Sequence, residues 1–337
     1  MIRMGVLGAA RITAPALLDP ARKVDGVAIT AIAARDPKRA GAYAKTHKIA
    51  TVHTSYDALL ADPDIDAIYN PLPNSHHAYW TIKALEAGKH VLCEKPLASN
   101  ALEARAMQDA AERRGKILAE AFHWRNHPLA ARMLEIIDSG KIGDVTHIEA
   151  QFCVPLLEPA NIRWREDLAG GATMDTGCYT INIVRHLARA EPIVRSATAR
   201  LMSNNVDRHM RAEFDFDDGR TGRIICSMAG WPLLKCLAHV EGTKGALTVT
   251  NPIAPQLYHK ITIETDTDKI VEKVPGTTSY KEQLKNFVGW LNGGPPMITD
   301  PADGVKNMAV IDDIYRAAGM TPRRGAELPP GYEAYQG

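Results

Sequence analysis

The chain has 337 residues, enough for two domains, and its 45% hydrophobic and 23% charged content is that of a globular protein with ample core material. Forty basic residues against 39 acidic ones leave a formal charge of +1, which argues against nucleic acid or an anionic membrane surface as the main partner. Five cysteines (Cys93, Cys153, Cys178, Cys226 and Cys236) show no CxxC spacing and suit reduced thiols in a cytoplasmic protein better than a disulfide framework.

The N-terminal apolar stretch Met1–Leu18 is broken by Gly5, Gly8 and Arg11, so it reads as strand, turn and helix instead of a signal peptide. No apolar run approaches the ~20 residues that span a bilayer. Ile2–Leu7 is the first strand, followed by Gly8-Ala9-Ala10-Arg11-Ile12-Thr13, a degenerate G-x-G-x-x-G with Ala10 at its second position. Such a loop cradles a pyrophosphate with backbone N–H groups at a helix N-terminus. Gly-Ala-Ala is also a common way to begin a helix, so the motif alone leaves both readings open.

Val27–Ala34 is the next strand, ending in Arg35-Asp36-Pro37-Lys38-Arg39. NAD-specific folds place a carboxylate here for the ribose 2′-hydroxyl; Arg35 in that place suits a 2′-phosphate, hence NADP in preference to NAD, which stays possible. Asp36 followed by Pro37 reads as a helix N-cap and first helical residue. Tyr56–Leu60 is helical. Ile65–Tyr69 is a strand running into Asn70-Pro71-Leu72-Pro73-Asn74-Ser75-His76-His77, a loop expected beside the cofactor, with Pro71, Asn74 and His77 as contacts. The pair His76-His77 does not suit a metal, since neighbours at a helix start point apart. Ala78–Ala87 is a helix with Gly88 as its C′ cap.

The short run Val91–Cys93 then stops at Glu94-Lys95-Pro96. Ligands of parallel sheets sit just beyond such strand ends, so Glu94 and Lys95 fall near a cofactor's reactive end and Lys95 is a candidate acid/base. An ordinary ion pair in a turn explains the same two residues. Ala101–Arg113 and Lys116–Ala119 complete a helix–strand alternation over roughly 120 residues, which means a doubly wound parallel sheet.

The pattern changes after Glu120. Pro128–Ser139 is an amphipathic helix, and strand-like runs follow at Val145–Val154, Val194–Met202, Arg211–Phe216, Thr221–Met228, Leu237–Glu241, Ala246–Thr250 and Ile261–Glu264. They imply an α+β domain with a large, mostly antiparallel open sheet. The expected division is residues 1–121 for nucleotide binding and 122–337 for substrate binding and oligomerisation. The terminal helices Tyr280–Leu291 and Val305–Ala318 are free to pack on either domain. A helix after Gly170-Gly171 carries an apolar stripe (Met174, Cys178, Ile181, Val184, Leu187) and a second face of Asp175, Tyr179, Asn182 and His186. That second face either lines a cleft or meets water. His123 and His127, four apart without a carboxylate partner, do not make a zinc site, and no metal is expected.

Together these segments resemble the glucose–fructose oxidoreductase / inositol dehydrogenase / rhizopine-catabolism (Gfo/Idh/MocA) family. The resemblance rests on Gly8-Ala9-Ala10-Arg11-Ile12, Pro73-Asn74-x-x-His77, Ala87-Gly88-Lys89-His90-Val91-Leu92-Cys93-Glu94-Lys95-Pro96, the Gly170–Tyr179 stretch and Asn307-Met308-Ala309-Val310-Ile311-Asp312. Asn161-Ile162-Arg163, and Tyr at 179 where others have His, look like the dimeric dihydrodiol dehydrogenase and aldose (xylose, glucose) dehydrogenase branch. The resemblance implies hydride transfer between a carbinol carbon of a sugar, polyol or dihydrodiol and the nicotinamide, with Lys95, Asp175 and Tyr179 around the substrate hydroxyl. Tyr179 is then the proton shuttle, and Lys95 holds and polarises the oxygen. Substrate walls are expected from Phe122, His123, Trp124, Arg125, Asn161, Arg163 and Trp231. A reductase of a keto-sugar or dicarbonyl compound, or a regulator that binds NAD(P) without turnover, are the alternatives. A homodimer or homotetramer through the C-terminal sheet is expected by analogy.

Overall fold

Short apolar segments that can be covered on both faces become parallel strands. In a computed structural model, which describes residues 1–203 and 205–335, these are β1 (Ile2–Leu7), β2 (Val27–Ala33), β3 (Thr51–His53), β4 (Ala67–Asn70), β5 (His90–Cys93) and β6 (Leu118–Glu120). They form one parallel sheet in the order β3-β2-β1-β4-β5-β6. The order reverses at β1, between β2 and β4, which is where doubly wound sheets bind ligands. β3 went unread in the sequence because Thr51-Val52-His53 is short, polar and at the sheet's edge, with Val52 40% exposed. The fourth strand begins at Ala67, two residues later than expected, and runs on to Asn70.

The helices of this sheet are set by local chemistry. A wide turn over Ala14–Leu18 leads into α1 (Asp19–Ala21). Asp36 caps α2 (Pro37–His47) by accepting from the Lys38 N–H at 2.9 Å, with Pro37 at the first helical position as the sequence predicts. Ser55 caps α3 (Tyr56–Leu60), and α4 spans His77–Glu86. In α5 (Ala101–Arg114) the Asn100 side-chain oxygen accepts from Glu103 N while the Glu103 carboxylate accepts from Asn100 Nδ2, a reciprocal cap. The buried Glu103 carboxylate also accepts from Ser99 N and Gly325 N, which draws the C-terminal segment onto this sheet.

After α6 (Pro128–Asp138) come β7 (Val145–Cys153), α7 (Cys178–Ala188), β8 (Ile193–Ser203), β9 (Val206–Asp215), β10 (Thr221–Ser227), β11 (Lys235–Gly242), β12 (Gly245–Thr250), β13 (Lys260–Thr265) and β14 (Lys269–Glu272). Their sheet has the order β14-β13-β12-β11-β7-β10-β9-β8, with β7 and β10 parallel and its other pairs antiparallel. β14 was missed in the sequence because Lys269 and Glu272 bracket only two apolar residues. The chain ends through α8 (Ser279–Leu291) and α9 (Pro301–Ala317). Two compact units result: Met1–Phe122 with Tyr280–Val305 and the segment from Gly325, and His123–Ser279 with Lys306–Arg324. α8 and most of α9 thus part company, because Leu284, Phe287 and Val288 join the apolar cluster around β1 and β2.

His77 fixes the loop beyond β4. Its Nδ1 lies 2.8 Å from the Pro96 carbonyl and its Nε2 2.7 Å from the Leu72 carbonyl; the neutral ring has one N–H, so it donates to one of these carbonyls and packs against the other, between the Glu94-Lys95-Pro96 turn and the Pro71–Pro73 turn. Burial pushes its pKa down to about 4, against the pull of both carbonyls. The unfolded ring takes up its proton near ~6.5. His77 therefore contributes stability above that pH, lost progressively as pH falls toward 4 and amounting to about 3 kcal/mol. Chemical denaturation of wild type and His77→Gln should show the stability gap narrowing by about that much between pH 7 and pH 4; a constant gap would mean that the ring does not titrate as described.

Candidate active site

The helix that carries Asp175 and Tyr179 begins in an unusual way, and one buried carboxylate accounts for it. Asp207 Oδ2 accepts from Thr173 N at 2.7 Å and Thr173 Oγ1 at 2.8 Å. Its Oδ1 accepts from Tyr315 OH and from Arg323, both at 3.1 Å. Asp207 and Arg323 are both 0% exposed, and Arg323 Nε also donates to the Gly170 carbonyl at 2.8 Å. Gly171 has φ +129°, and a Cβ there would lie 2.3 Å from Asp207 Oδ1; one on Gly170 would lie 2.4 Å from the Arg163 carbonyl. The Gly-Gly pair thus lets two backbone segments close on the acid. The first turn, Thr173–Gly177, is wide and π-like before α7 proper starts at Cys178.

Every residue of α7 is buried. The stripe Met174, Cys178, Ile181, Val184, Leu187 packs as read from the sequence. The second face is buried apart from Asp175, which is partly exposed. Asp175 forms an ion pair with Arg163 at 2.8 Å, their side chains 23% and 45% exposed. The Tyr179 hydroxyl lies 3.2 Å from His123 Nε2, and its ring stands edge-on to Phe152 at 5.7 Å. Asn182 accepts from the Trp124 indole at 3.2 Å, and His186 Nε2 lies 3.2 Å from the Ala130 carbonyl. Carboxylate, guanidinium, phenol and imidazole therefore gather at the first two turns, and the amide and second imidazole serve packing. Arg163 arrives there because Asn161 caps the short turn Ile162–Trp164 and Gly171 N donates to the Arg163 carbonyl.

In the first unit, Gly8 turns with φ +83° at the end of β1, its N–H on the Ala33 carbonyl. Arg39 reaches back from α2 to the Ala9 carbonyl at 2.8 Å, and Tyr43 OH to that of Ala10 at 3.3 Å. Among the described residues, the N–H groups of Ala10, Arg11 and Ile12 take no acceptor, a donor set that fits a pyrophosphate. Arg35 is exposed at the end of β2. Burial raises the Tyr56 phenol, and Arg35 and Arg39 beside it pull it back, so two guanidinium groups gather where a 2′-phosphate would be bound. At the end of β5, Glu94 is buried and accepts from Tyr69 OH at 2.7 Å; Lys95 is partly exposed and its peptide bond to Pro96 is cis.

These features match a known architecture. Residues 2–122 fit the sequence model of the Gfo/Idh/MocA oxidoreductase family with its NAD-binding Rossmann fold, and residues 130–248 fit that family's C-terminal domain. The chain belongs to the Gfo/Idh/MocA family of oxidoreductases. It is 36% identical over 318 residues to D-xylose 1-dehydrogenase (NADP(+)) 2 of Haloferax volcanii, covering 93% of this chain and 96% of the relative. It is 32% identical to trans-1,2-dihydrobenzene-1,2-diol dehydrogenase of Oryctolagus cuniculus over 66% of this chain and 68% of that one. Among solved structures, a 3-ketoreductase from Actinomadura kijaniata in complex with NADP and TDP-benzene superposes with a TM-score of 0.88 at 27% identity, covering 97% and 99% of the two chains.

Within this family member, several sequence expectations change position. His77, read as a cofactor contact, is buried between the Pro96 and Leu72 carbonyls and braces a turn. Glu94 points at Tyr69. Pro71 is buried, Asn74 opens a short turn, and its carbonyl accepts from Ser99 Oγ. Phe122 is 0% exposed and Trp124 only 1%, so their aromatic faces are spent on packing, whereas Arg125 is partly and Trp231 78% exposed. Arg39, Asp207, Arg323 and Ser279 were not singled out. Arg39 follows the cap residue Asp36 by three, which places it on the first turn of α2; the lone acid Asp207 inside a strand gave no signal.

Removing one member of a buried ion pair strands the other. Arg323→Ala should cost ~3–5 kcal/mol in urea denaturation, and Gly171→Ala should be comparably harmful through its clash with Asp207; wild-type stability in both would contradict the network described.

Proposed function

We propose that the protein transfers a hydride between a carbinol carbon of a sugar, polyol or dihydrodiol and the nicotinamide of NADP, with Lys95, Asp175 and Tyr179 acting on one substrate hydroxyl. The observation that carries this reading is Tyr179 on a buried helix, its hydroxyl paired to an imidazole and Asp175 one turn before it held by Arg163. The cofactor supplies the hydride acceptor or donor. Everything else is done by the chain's own groups.

Lysine and tyrosine both titrate near ~10 when free, so to take a proton near neutrality either needs a depressed pKa, or a relay that carries its proton onward. Tyr179 exchanges the hydroxyl proton, and Lys95 hydrogen-bonds and polarises the oxygen. Asp175 orients the substrate while Arg163 fixes its carboxylate. Asn161 and Arg163 supply polar walls, and Arg35 with Arg39 selects the 2′-phosphate of NADP over NAD. Relatives named as an NADP(+)-dependent xylose dehydrogenase and a dihydrodiol dehydrogenase support this class of substrate. The likeness to a 3-ketoreductase favours a second reading in which the same groups reduce a keto-sugar.

The proposed assembly is a homodimer or homotetramer through the second sheet. Its edge strand β8 exposes Ile193 (55%), Leu201 (49%) and Met202 (46%), apolar surface that a copy would cover. Among the described residues no helix is long and apolar enough to cross a membrane.

Incubation with NADP⁺ and a panel of aldoses, polyols and a dihydrodiol should raise the reduced-nicotinamide absorbance for at least one member. Lys95→Met should lower that turnover ~10²–10⁴-fold with cofactor affinity nearly kept; full turnover would remove Lys95 from the reaction. Arg35→Ala should weaken NADP binding while leaving NAD binding nearly unchanged, measured by titration calorimetry. Equal losses for both cofactors would contradict the 2′-phosphate assignment.

A further inference from the structure

The hydrogen bonds behind Tyr179 have a direction, and it leads away from the substrate. Ser279 is 0% exposed, and both its N–H (3.5 Å) and its hydroxyl (2.9 Å) point at the same Gln256 side-chain atom. A backbone N–H can meet only an acceptor, so that atom is the amide oxygen, and the single Ser279 hydroxyl proton is committed to it. Ser279 Oγ then faces His123 Nδ1, 2.8 Å away, with lone pairs only. Nδ1 must carry the ring proton. In the neutral form of the ring Nε2 then carries the lone pair, 3.2 Å from the Tyr179 hydroxyl, which donates to it. All four residues belong to the second unit, and His123 is only 4% exposed.

From this geometry we infer that His123 is the terminal proton acceptor of the oxidation, working through Tyr179. The inference rests on the proposed role of Tyr179. The substrate O–H bond breaks as its proton passes to Tyr179 Oη, while the proton already on Oη moves to His123 Nε2. The electron pair of the breaking C–H bond leaves with the hydride to the nicotinamide, and the carbonyl forms. The ring becomes an imidazolium whose Nδ1–H rests on Ser279 Oγ and whose new Nε2–H rests on Tyr179. Reduction runs the same steps backwards. Tyr179 thus need never persist as a phenolate, which removes the need for a large fall in its pKa. Ser279 and Gln256 are positioning residues: they set the tautomer that leaves Nε2 as the accepting nitrogen.

Two measurements test this. In ¹⁵N-histidine-labelled protein at pH 7, with the signal assigned by its loss in His123→Gln, Nδ1 should be protonated and Nε2 bare; the opposite tautomer overturns the inference without any substrate. In turnover, His123→Gln keeps a donor for Ser279 and an acceptor for Tyr179 but cannot take a proton, so kcat should fall ~10²-fold or more with substrate KM nearly unchanged. Wild-type kcat in His123→Gln would show that only the hydrogen bond matters and overturn the relay. If His123→Gln does not fold, Ser279→Ala and Ser279→Thr carry the test: loss in the first with retention in the second supports the relay, and equal turnover refutes it. Tyr179→Phe separates the two layers. If it keeps full turnover, the proposed function of Tyr179 fails; if it is inactive while His123→Gln is not, only the relay fails.

Discussion

One carboxylate, Asp207, decides where the chemistry of the second unit can be. It is fully buried and accepts hydrogen bonds from a backbone amide, two hydroxyl groups and a guanidinium. Thr173, one of its donors, opens the wide turn that precedes α7. Two residues on is Asp175, and four further is Tyr179. The spacing on the helix is fixed by the backbone; its origin and rotation are fixed by Asp207. Gly170 and Gly171 are the sequence's concession to this arrangement, because side chains there would collide with Arg163 and Asp207.

The same logic of anchored backbone holds in the first unit with different groups. His77 ties two turns at the carboxyl edge of the sheet, Glu94 is held by Tyr69, and Glu103 gathers Ser99, Asn100 and Gly325. Buried polar groups on that edge act as braces, whereas Lys95 is partly exposed and Arg35 exposed. Division between bracing and reacting groups follows from solvation: a group that must change charge during turnover needs contact with what it reacts upon, whereas a brace is best placed where water cannot compete.

Much of this was legible in the sequence. Strands buried on both faces announced themselves as apolar runs, and Asp36-Pro37 announced a helix start that the structure shows as written. The Gly-Gly pair, the stripe from Met174 to Leu187 and the polar residues at three- and four-residue spacing located the helix of interest. What failed was depth. Spacing shows that Asp175, Tyr179, Asn182 and His186 share a face, but not that Trp124 and His123 cover it, because those partners are more than fifty residues away in the chain. His77 and Trp124 were expected at ligands for the same reason: residue type suggests a contact, and only tertiary packing says that a carbonyl or an amide has already taken it. Short edge strands such as β3 and β14 lack the periodicity that pattern reading requires.

The dependence of the site on Asp207 is the claim most open to direct test. A double-mutant cycle on kcat with Asp207→Asn and Tyr179→Phe measures it. If Asp207 acts by setting the helix start that presents Tyr179, its substitution should lower kcat in the wild-type background and have little further effect once the phenol is gone. Independent, additive losses from the two substitutions would contradict the account.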